Sequence, residues 1–115
     1  MASTFKNSGI TVPVVDTTDG DIYTAGGSET AVIHALYISN NSASSVARVN
    51  VKVTVDGGTT FKYVGKNLEV PVGNTLTLDK PINLENNDKL RVVADPSPDS
   101  TAVEVEAVAS ILAIT

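Results

Sequence analysis

The sequence lacks most of the residues that build catalytic or metal sites in small domains. It has no cysteine, so neither a disulfide framework nor a zinc–thiolate site can form. Its single histidine, His34, has no second histidine with which to bind a metal, and no G-x-S-x-G turn supplies a nucleophile. No glycine-rich phosphate loop leads from a strand pattern into a helix pattern. We therefore predict a protein without enzymatic activity, bound metal or cofactor.

Charge and long apolar runs are also scarce. Charged residues make up 18% of the chain and the net charge is −5, with the eight basic residues scattered rather than clustered. Phosphate backbones require clustered Lys and Arg, so we predict no nucleic-acid partner. No stretch approaches the roughly 18 consecutive apolar residues of a membrane-spanning helix, so we predict no membrane partner. The start of the chain has no apolar signal core, and we expect synthesis in the cytoplasm.

Short runs rich in Val, Ile and Thr recur at intervals of about ten residues, separated by turn residues, and no long segment shows helical periodicity. This pattern favours an all-β protein, and we predict an antiparallel β-sandwich, jelly-roll-like, with about eight strands. We expect one domain over residues 9–115. The runs cover residues 9–15, 21–25, 30–39, 46–56, 59–65, 68–73, 75–81, 88–95 and 101–115.

Individual segments give sharper expectations. The turn at Asp56-Gly57-Gly58 predicts a hairpin between residues 46–56 and 59–65. The nearly continuous apolar run at 30–39 is typical of a central strand buried on both faces, which would make His34 a core or interface side chain. The three tyrosines are expected to pack in the core with their hydroxyl groups at its rim.

The densest acidic cluster is Asp16, Asp19 and Asp21, around a glycine. Three carboxylates near one turn are suitable ligands for Ca²⁺. The spacing is not that of an EF-hand loop, and Asp and Gly also form tight turns without any ion. The sequence favours the simple turn and leaves the cation site open.

The last strand pattern changes character along its length. Val103 and Val105 alternate with Glu104 and Glu106, as in a strand with one wet face. From Val108 onward, the positions that continue the glutamate parity are mainly apolar. Exposed aliphatic rows on an edge strand invite uncontrolled pairing. We therefore predict a homo-oligomer, specifically a trimer, whose subunit interface includes Val108, Leu112 and Ile114.

Residues 1–8 precede the first strand pattern and contain one large apolar side chain, Phe5. We expect an N-terminal arm here that leaves its own domain and docks on a neighbouring subunit or on a larger particle. A frayed terminus is the alternative.

Several segments together resemble a family of small virion structural proteins of tailed bacteriophages. They are "TFKNSG" (4–9), "IYT" (22–24), "TAVIHALYISN" (30–40), "KPINLENNDKLRV" (80–92) and "VASILAIT" (108–115). The segments keep the order and spacing of that family over nearly the whole chain. One departure is Asn87, where the family commonly has glycine before the Asp of a turn; Asn tolerates the left-handed backbone that glycine would supply.

The resemblance implies a location in the virion and, as partners, the major capsid protein or other virion proteins. Within that frame we expect a capsid decoration (cement) protein that stabilises the head exterior. A neck, collar or tail-associated module is the alternative, and a glycan-binding adhesin domain is a third interpretation from another class.

Overall fold

A computed structural model describes residues 2–42, 45–94 and 105–115. Strands account for 64% of the described residues, and the only helical element among them is one 3-10 turn at Thr18–Gly20. The expected all-β class is confirmed. The strands are β1 (Ser3–Thr11), β2 (Asp21–Thr24), β3 (Thr30–Asn40), β4 (Ala47–Thr54), β5 (Phe61–Val70), β6 (Thr75–Leu78), β7 (Ile82–Leu84), β8 (Lys89–Ala94) and β9 (Val105–Ile114).

The strands form two antiparallel sheets. The first has the order β1-β9-β3-β6, with β7 also paired to β3, and the second has the order β2-β8-β4-β5. The first strand thus pairs with the last and the second with the last but one, while β4 and β5 form the innermost hairpin. This nested pairing is the arrangement of a jelly roll. The predicted sandwich is therefore confirmed, and the described residues contain nine strands where about eight were expected.

The core lies between the sheets and is made by alternate residues of each strand. In β9, every second residue is buried, and in β4 the valines Val49 and Val51 face them from the second sheet. Burying one such aliphatic side chain contributes about 1.5–3 kcal/mol. The inward residues of β9 are Val105, Ala107, Ala109, Ile111 and Ala113.

Strand boundaries differ from the sequence pattern in two places. The runs at 59–65 and 68–73 belong largely to one strand, β5, because an irregularity in its pairing with β4 absorbs Lys66 and Asn67, and Asn67 has a φ of 54°. Residues 12–15 lie outside any strand because the chain crosses between the sheets there. The Val12 amide donates to Val105 of the first sheet, and the Pro13 carbonyl accepts from Ala94 of the second.

Two turns at one end of the sandwich are held by a single carboxylate. The predicted hairpin at Asp56-Gly57-Gly58 is present, and Asp88 accepts hydrogen bonds from the Gly57 amide at 2.9 Å and the Glu85 amide at 3.0 Å. Asn87, beside Asp88, has a φ of 65°. The expectation that this asparagine accommodates a left-handed backbone is therefore confirmed.

The N-terminal residues form a strand instead of a separate arm. Residues 3–8 lie within β1, which pairs with β9 from Ser3 opposite Ile114 to Thr11 opposite Glu106. The expected boundary between residues 8 and 9 is corrected accordingly, because it falls inside this strand. The backbone ladder to β9 explains the placement, since most β1 side chains are exposed and add little to the core.

Candidate functional site

The outer face of the first sheet carries several large, mostly apolar side chains. In one row across the sheet, Leu112 lies between Phe5 and Val32. Paired residues of neighbouring strands point to the same face of a sheet, so these side chains are neighbours. We call this set the apolar face. Its members are Phe5, Val32, His34, Tyr37, Val108, Leu112 and Ile114.

The three residues predicted for an interface lie together on the apolar face. Val108 is 44% exposed, and Leu112 and Ile114 are half-buried. The alternation of β9 continues through them without interruption, so all three point to the outer side of the sheet. Val103 and Glu104, which begin the predicted alternation, lie outside the described residues. β9 is a central strand between β1 and β3, not the edge strand considered from the sequence. Contact with a partner would therefore cover a sheet face rather than extend a sheet edge.

His34 belongs to this surface and not to the core. His34 continues the outward parity of Val32, and the pairing of β3 with β9 shifts between Ile33 and Ala35, so that Tyr37 reaches the same face from the other parity. Its ring stacks on Phe5 with the ring centroids 5.9 Å apart, across β9. The expectation that β3 is buried on both faces is wrong for the single chain, because His34 is exposed and Tyr37 is 43% exposed. Although β3 is apolar at most positions, one of its faces is partly exposed to solvent in the single chain.

Charge is nearly absent from the apolar face. Among the described residues whose parity places them on this side of β1, β3, β6, β7 and β9, Glu106 is the one carboxylate and no Lys or Arg occurs. Glu106 lies at one end, where its side chain accepts a hydrogen bond from Asn41. Depletion of charge around exposed aliphatic and aromatic side chains is the composition of the centre of a protein interface.

The outer face of the second sheet has the opposite character. Arg91 donates to Asp21 at 2.6 Å and to Asp16 at 2.9 Å, and Lys52 also pairs with Asp16. The hydrogen bond from Lys52 and then that from Arg91 hold the pKa of Asp16 below its ordinary value. The carboxylate of Asp21 is the first cause that raises the pKa of Arg91. On this face, the charges of Lys52 and Arg91 are neutralised by carboxylates of the protein itself.

Two of the three carboxylates of the acidic turn take part in these ion pairs. Asp16 and Asp21 face Lys52 and Arg91 of the protein itself, while Asp19 lies in the 3-10 turn, where its amide donates to the Thr17 hydroxyl. Within residues 2–42, 45–94 and 105–115, no group of three acidic or histidine side chains is placed to hold a metal ion. The interpretation as a tight turn is the one that the geometry supports.

Aromatic rings complete the charged face. The Arg91 guanidinium lies 4.2 Å from the centre of the Phe61 ring, and the Lys52 ammonium lies 5.5 Å from the same ring. Lys66 lies 5.3 Å from the centre of the Tyr63 ring. Tyr63 is 53% exposed, so the expected core packing is wrong for it, as it is for Tyr37, whereas Tyr23 does pack against the core. Cation–π contacts hold these rings outside the core.

The two lateral edges of the sandwich also differ. At the β1/β2 edge, the Ser8 hydroxyl donates to the Ile22 carbonyl at 2.5 Å, and the Lys6 ammonium lies 5.1 Å from the centre of the Tyr23 ring. Between β5 and β6–β7, the opposite edge opens into a groove of about 370 Å³. We call it the edge groove. It is lined by Val64, Thr77, Leu78, Asp79, Lys80, Pro81 and Ile82.

No helix in the described part of the chain is long and apolar enough to cross a membrane. No protein-family model matches the sequence, and no curated protein matches it either.

Solved structures with the same fold do exist. A chain of the T13 viral particle of IBDV matches with a TM-score of 0.57 and 12% sequence identity, over 96% of this protein and 30% of that chain. A chain from the infectious bursal disease virus Gx strain matches with a TM-score of 0.55 and 13% identity, over 97% of this protein and 30% of that chain. This protein therefore spans about 30% of the length of the viral chains it matches. The protein shares its fold with a part of those viral chains.

Proposed function

We propose that this protein is a non-enzymatic structural component of a virion that assembles with copies of itself through the apolar face. The observation that carries the proposal is the bare, nearly uncharged outer side of the first sheet, on a fold that chains of a viral particle also use. The fold by itself permits many functions, so the face is the stronger argument.

Energetics favour a second copy as the occupant of the apolar face. Covering Val108, Leu112 and Ile114 contributes on the order of 5 kcal/mol per chain before the costs of association. Phe5 and Tyr37 add aromatic area to the same surface. The assembly must close, because an open head-to-tail contact would grow into filaments. We propose a homotrimer with Val108, Leu112 and Ile114 at or near the subunit interface.

Within the virion, we propose a capsid decoration (cement) role on the head exterior of a tailed bacteriophage, with the major capsid protein as partner. Supporting it are the resemblance of five segments to that virion family and the net charge of −5, which avoids attraction to packaged DNA. A neck, collar or tail-associated module is the alternative, and electron microscopy of particles labelled through this protein distinguishes the two. A glycan array tests the adhesin interpretation.

The self-assembly is tested by the variant Val108→Asp. Burying an unpaired carboxylate at an interface is costly, so the variant should be monomeric at concentrations where the wild type is oligomeric by light scattering. Since Val108 is 44% exposed in the single chain, its free energy of unfolding as a monomer should change little.

The matched control is Val55→Asp, since Val55 is 64% exposed in the hairpin turn, outside the apolar face. It should assemble as the wild type does. A wild type that is monomeric at micromolar concentration, or a Val108→Asp variant that still assembles, contradicts the proposal.

A further inference from the structure

The proposed ring requires two different surfaces that fit each other, because a cyclic trimer is built from head-to-tail contacts. The apolar face supplies one surface. The second surface must be elsewhere on the same chain, with a shape and a chemistry that accept it. Two features of the structure, Phe5 and the edge groove, have the required properties.

Phe5 is the most exposed large apolar side chain among the described residues, at 76%. It stacks on His34 but buries only a minor part of its surface by doing so. It lies on β1, the strand at one end of the first sheet. An aromatic side chain in such a position contributes much more when a partner encloses it.

The edge groove lies at the other end of the same sheet. Leu78 belongs to β6 and Ile82 to β7, the strands farthest from β1. Together with Val64 and Pro81 they give the groove a mostly apolar lining. Its volume of about 370 Å³ is at the lower end of the range of small-ligand sites, which is ample for one phenyl ring.

Position favours a head-to-tail contact between these features. Phe5 lies on the apolar face, whereas the groove opens at an edge of the sandwich, so the contact packs the apolar face of one copy against the groove edge of the next. Asp79 and Lys80 both line the groove, so it carries no net charge that would oppose an apolar side chain. The same contact also covers the β6–β7 edge, which would otherwise remain open to other chains.

We propose that Phe5 of one copy occupies the edge groove of the next copy, between Val64 and Ile82, and that this contact closes the ring. The inference rests on the self-assembly proposed above and specifies which surfaces meet. It also gives residues 1–8 the docking role expected from the sequence, while β1 keeps its place in its own sheet.

The absence of cysteine makes a direct test possible. Phe5→Cys and Val64→Cys replace exposed side chains, so each variant should fold. Mixed and oxidised, the two single variants should give a covalent heterodimer, and neither should give a covalent product alone. A protein carrying both cysteines should give a ladder on a non-reducing gel that ends at the size of the ring. Pairing Phe5→Cys with Val55→Cys, at the distant hairpin, should give no product.

The outcomes separate this inference from the function proposed above. An oligomer in light scattering without Phe5–Val64 cross-links, even with a short bis-maleimide linker, overturns the groove contact and leaves self-assembly intact. Covalent dimers from Phe5→Cys alone indicate a two-fold symmetric contact and overturn it as well. A monomeric wild type overturns both proposals. As a second measurement, Phe5→Ser should increase the monomer fraction at least tenfold without changing the stability of the monomer.

Discussion

At the scale of single residues, Asp88 joins three segments of the chain at one end of the sandwich. Its carboxylate is buried, with 3% of the residue exposed, and accepts from the Thr54 hydroxyl at 3.2 Å and from the Gly57 and Glu85 amides. The aspartate in the turn quoted for the family resemblance is thus a structural residue. Its side chain connects the end of β4, the hairpin turn and the turn before β8.

Replacing Asp88 with Ala should therefore lower the free energy of unfolding by about 3 kcal/mol, because buried donors lose their acceptor. Glu85→Ala removes an exposed carboxylate outside both proposed contact surfaces and should change it by less than about 0.5 kcal/mol. Urea unfolding of both variants measures the difference. Equal effects of the two substitutions would contradict the structural role of Asp88.

Asp16 makes the stability depend on pH in a defined direction. Lys52 and Arg91 lower its pKa in the folded state below the ordinary 3.8, so the ionised form stabilises the fold. That contribution is present above pH 3.8 and is lost as the pH falls through the lower, folded-state pKa. Because the Asp16 side chain is 47% exposed, solvent screens the effect and keeps it modest.

The variant Asp16→Asn should consequently be less stable than the wild type at pH 7 and should lose less stability on acidification to pH 2.5. Urea midpoints at both pH values check this. Asp19→Asn, in the same turn but without an ion pair in the structure, should follow the wild type. If Asp16→Asn loses as much stability as the wild type on acidification, Asp16 is not the group responsible for that loss.

At the scale of elements, the 3-10 turn is packed against β8 so closely that only glycine fits at Gly20. A Cβ there would lie 2.6 Å from the Val92 carbonyl oxygen, a backbone atom that cannot move aside easily. In β1, by contrast, a Cβ on Gly9 would meet its nearest atom at an ordinary 3.6 Å. An added methyl group therefore clashes with the backbone at Gly20 and fits without a clash at Gly9.

We expect Gly20→Ala to destabilise the protein by about 1–3 kcal/mol through overpacking, and Gly9→Ala to be neutral or stabilising by up to about 1 kcal/mol. Each glycine substitution is combined with Val108→Asp, which keeps the protein monomeric. Thermal unfolding then measures both stability changes without a contribution from assembly. If Gly20→Ala is tolerated as well as Gly9→Ala, the turn does not pack on β8 as described.

The strands also show where patterns in the sequence succeed and fail. The parity of Val108, Leu112 and Ile114 could be read directly, because a two-residue period survives any arrangement of the sheet. The shared face of His34 and Tyr37 could not, because one extra residue in the pairing of β3 with β9 reverses the parity within a continuous apolar run. The edge groove has no local signal either, since β5 and β6–β7 approach only through the sandwich.

At the scale of the whole molecule, assembly should make the apparent stability depend on concentration. Folded chains associate with one another and unfolded chains do not. The melting temperature of the wild type should therefore rise as its concentration is raised a hundredfold. Val108→Asp should melt at one temperature throughout, while Val55→Asp should follow the wild type. Calorimetry at several concentrations measures this, and a constant wild-type value would argue against the oligomer.

The sequence by itself determined the all-β class, the hairpin at Asp56-Gly57-Gly58, the left-handed Asn87 and the shared face of Val108, Leu112 and Ile114. All of these depend on local backbone preferences or on the two-residue period, which each segment carries with it. Only the tertiary structure decided that β1 pairs with β9, that β9 is central, and that Asp16 and Asp21 face Lys52 and Arg91. Those facts arise between segments far apart in the chain, where packing and charge neutralisation select among arrangements that a linear pattern does not distinguish.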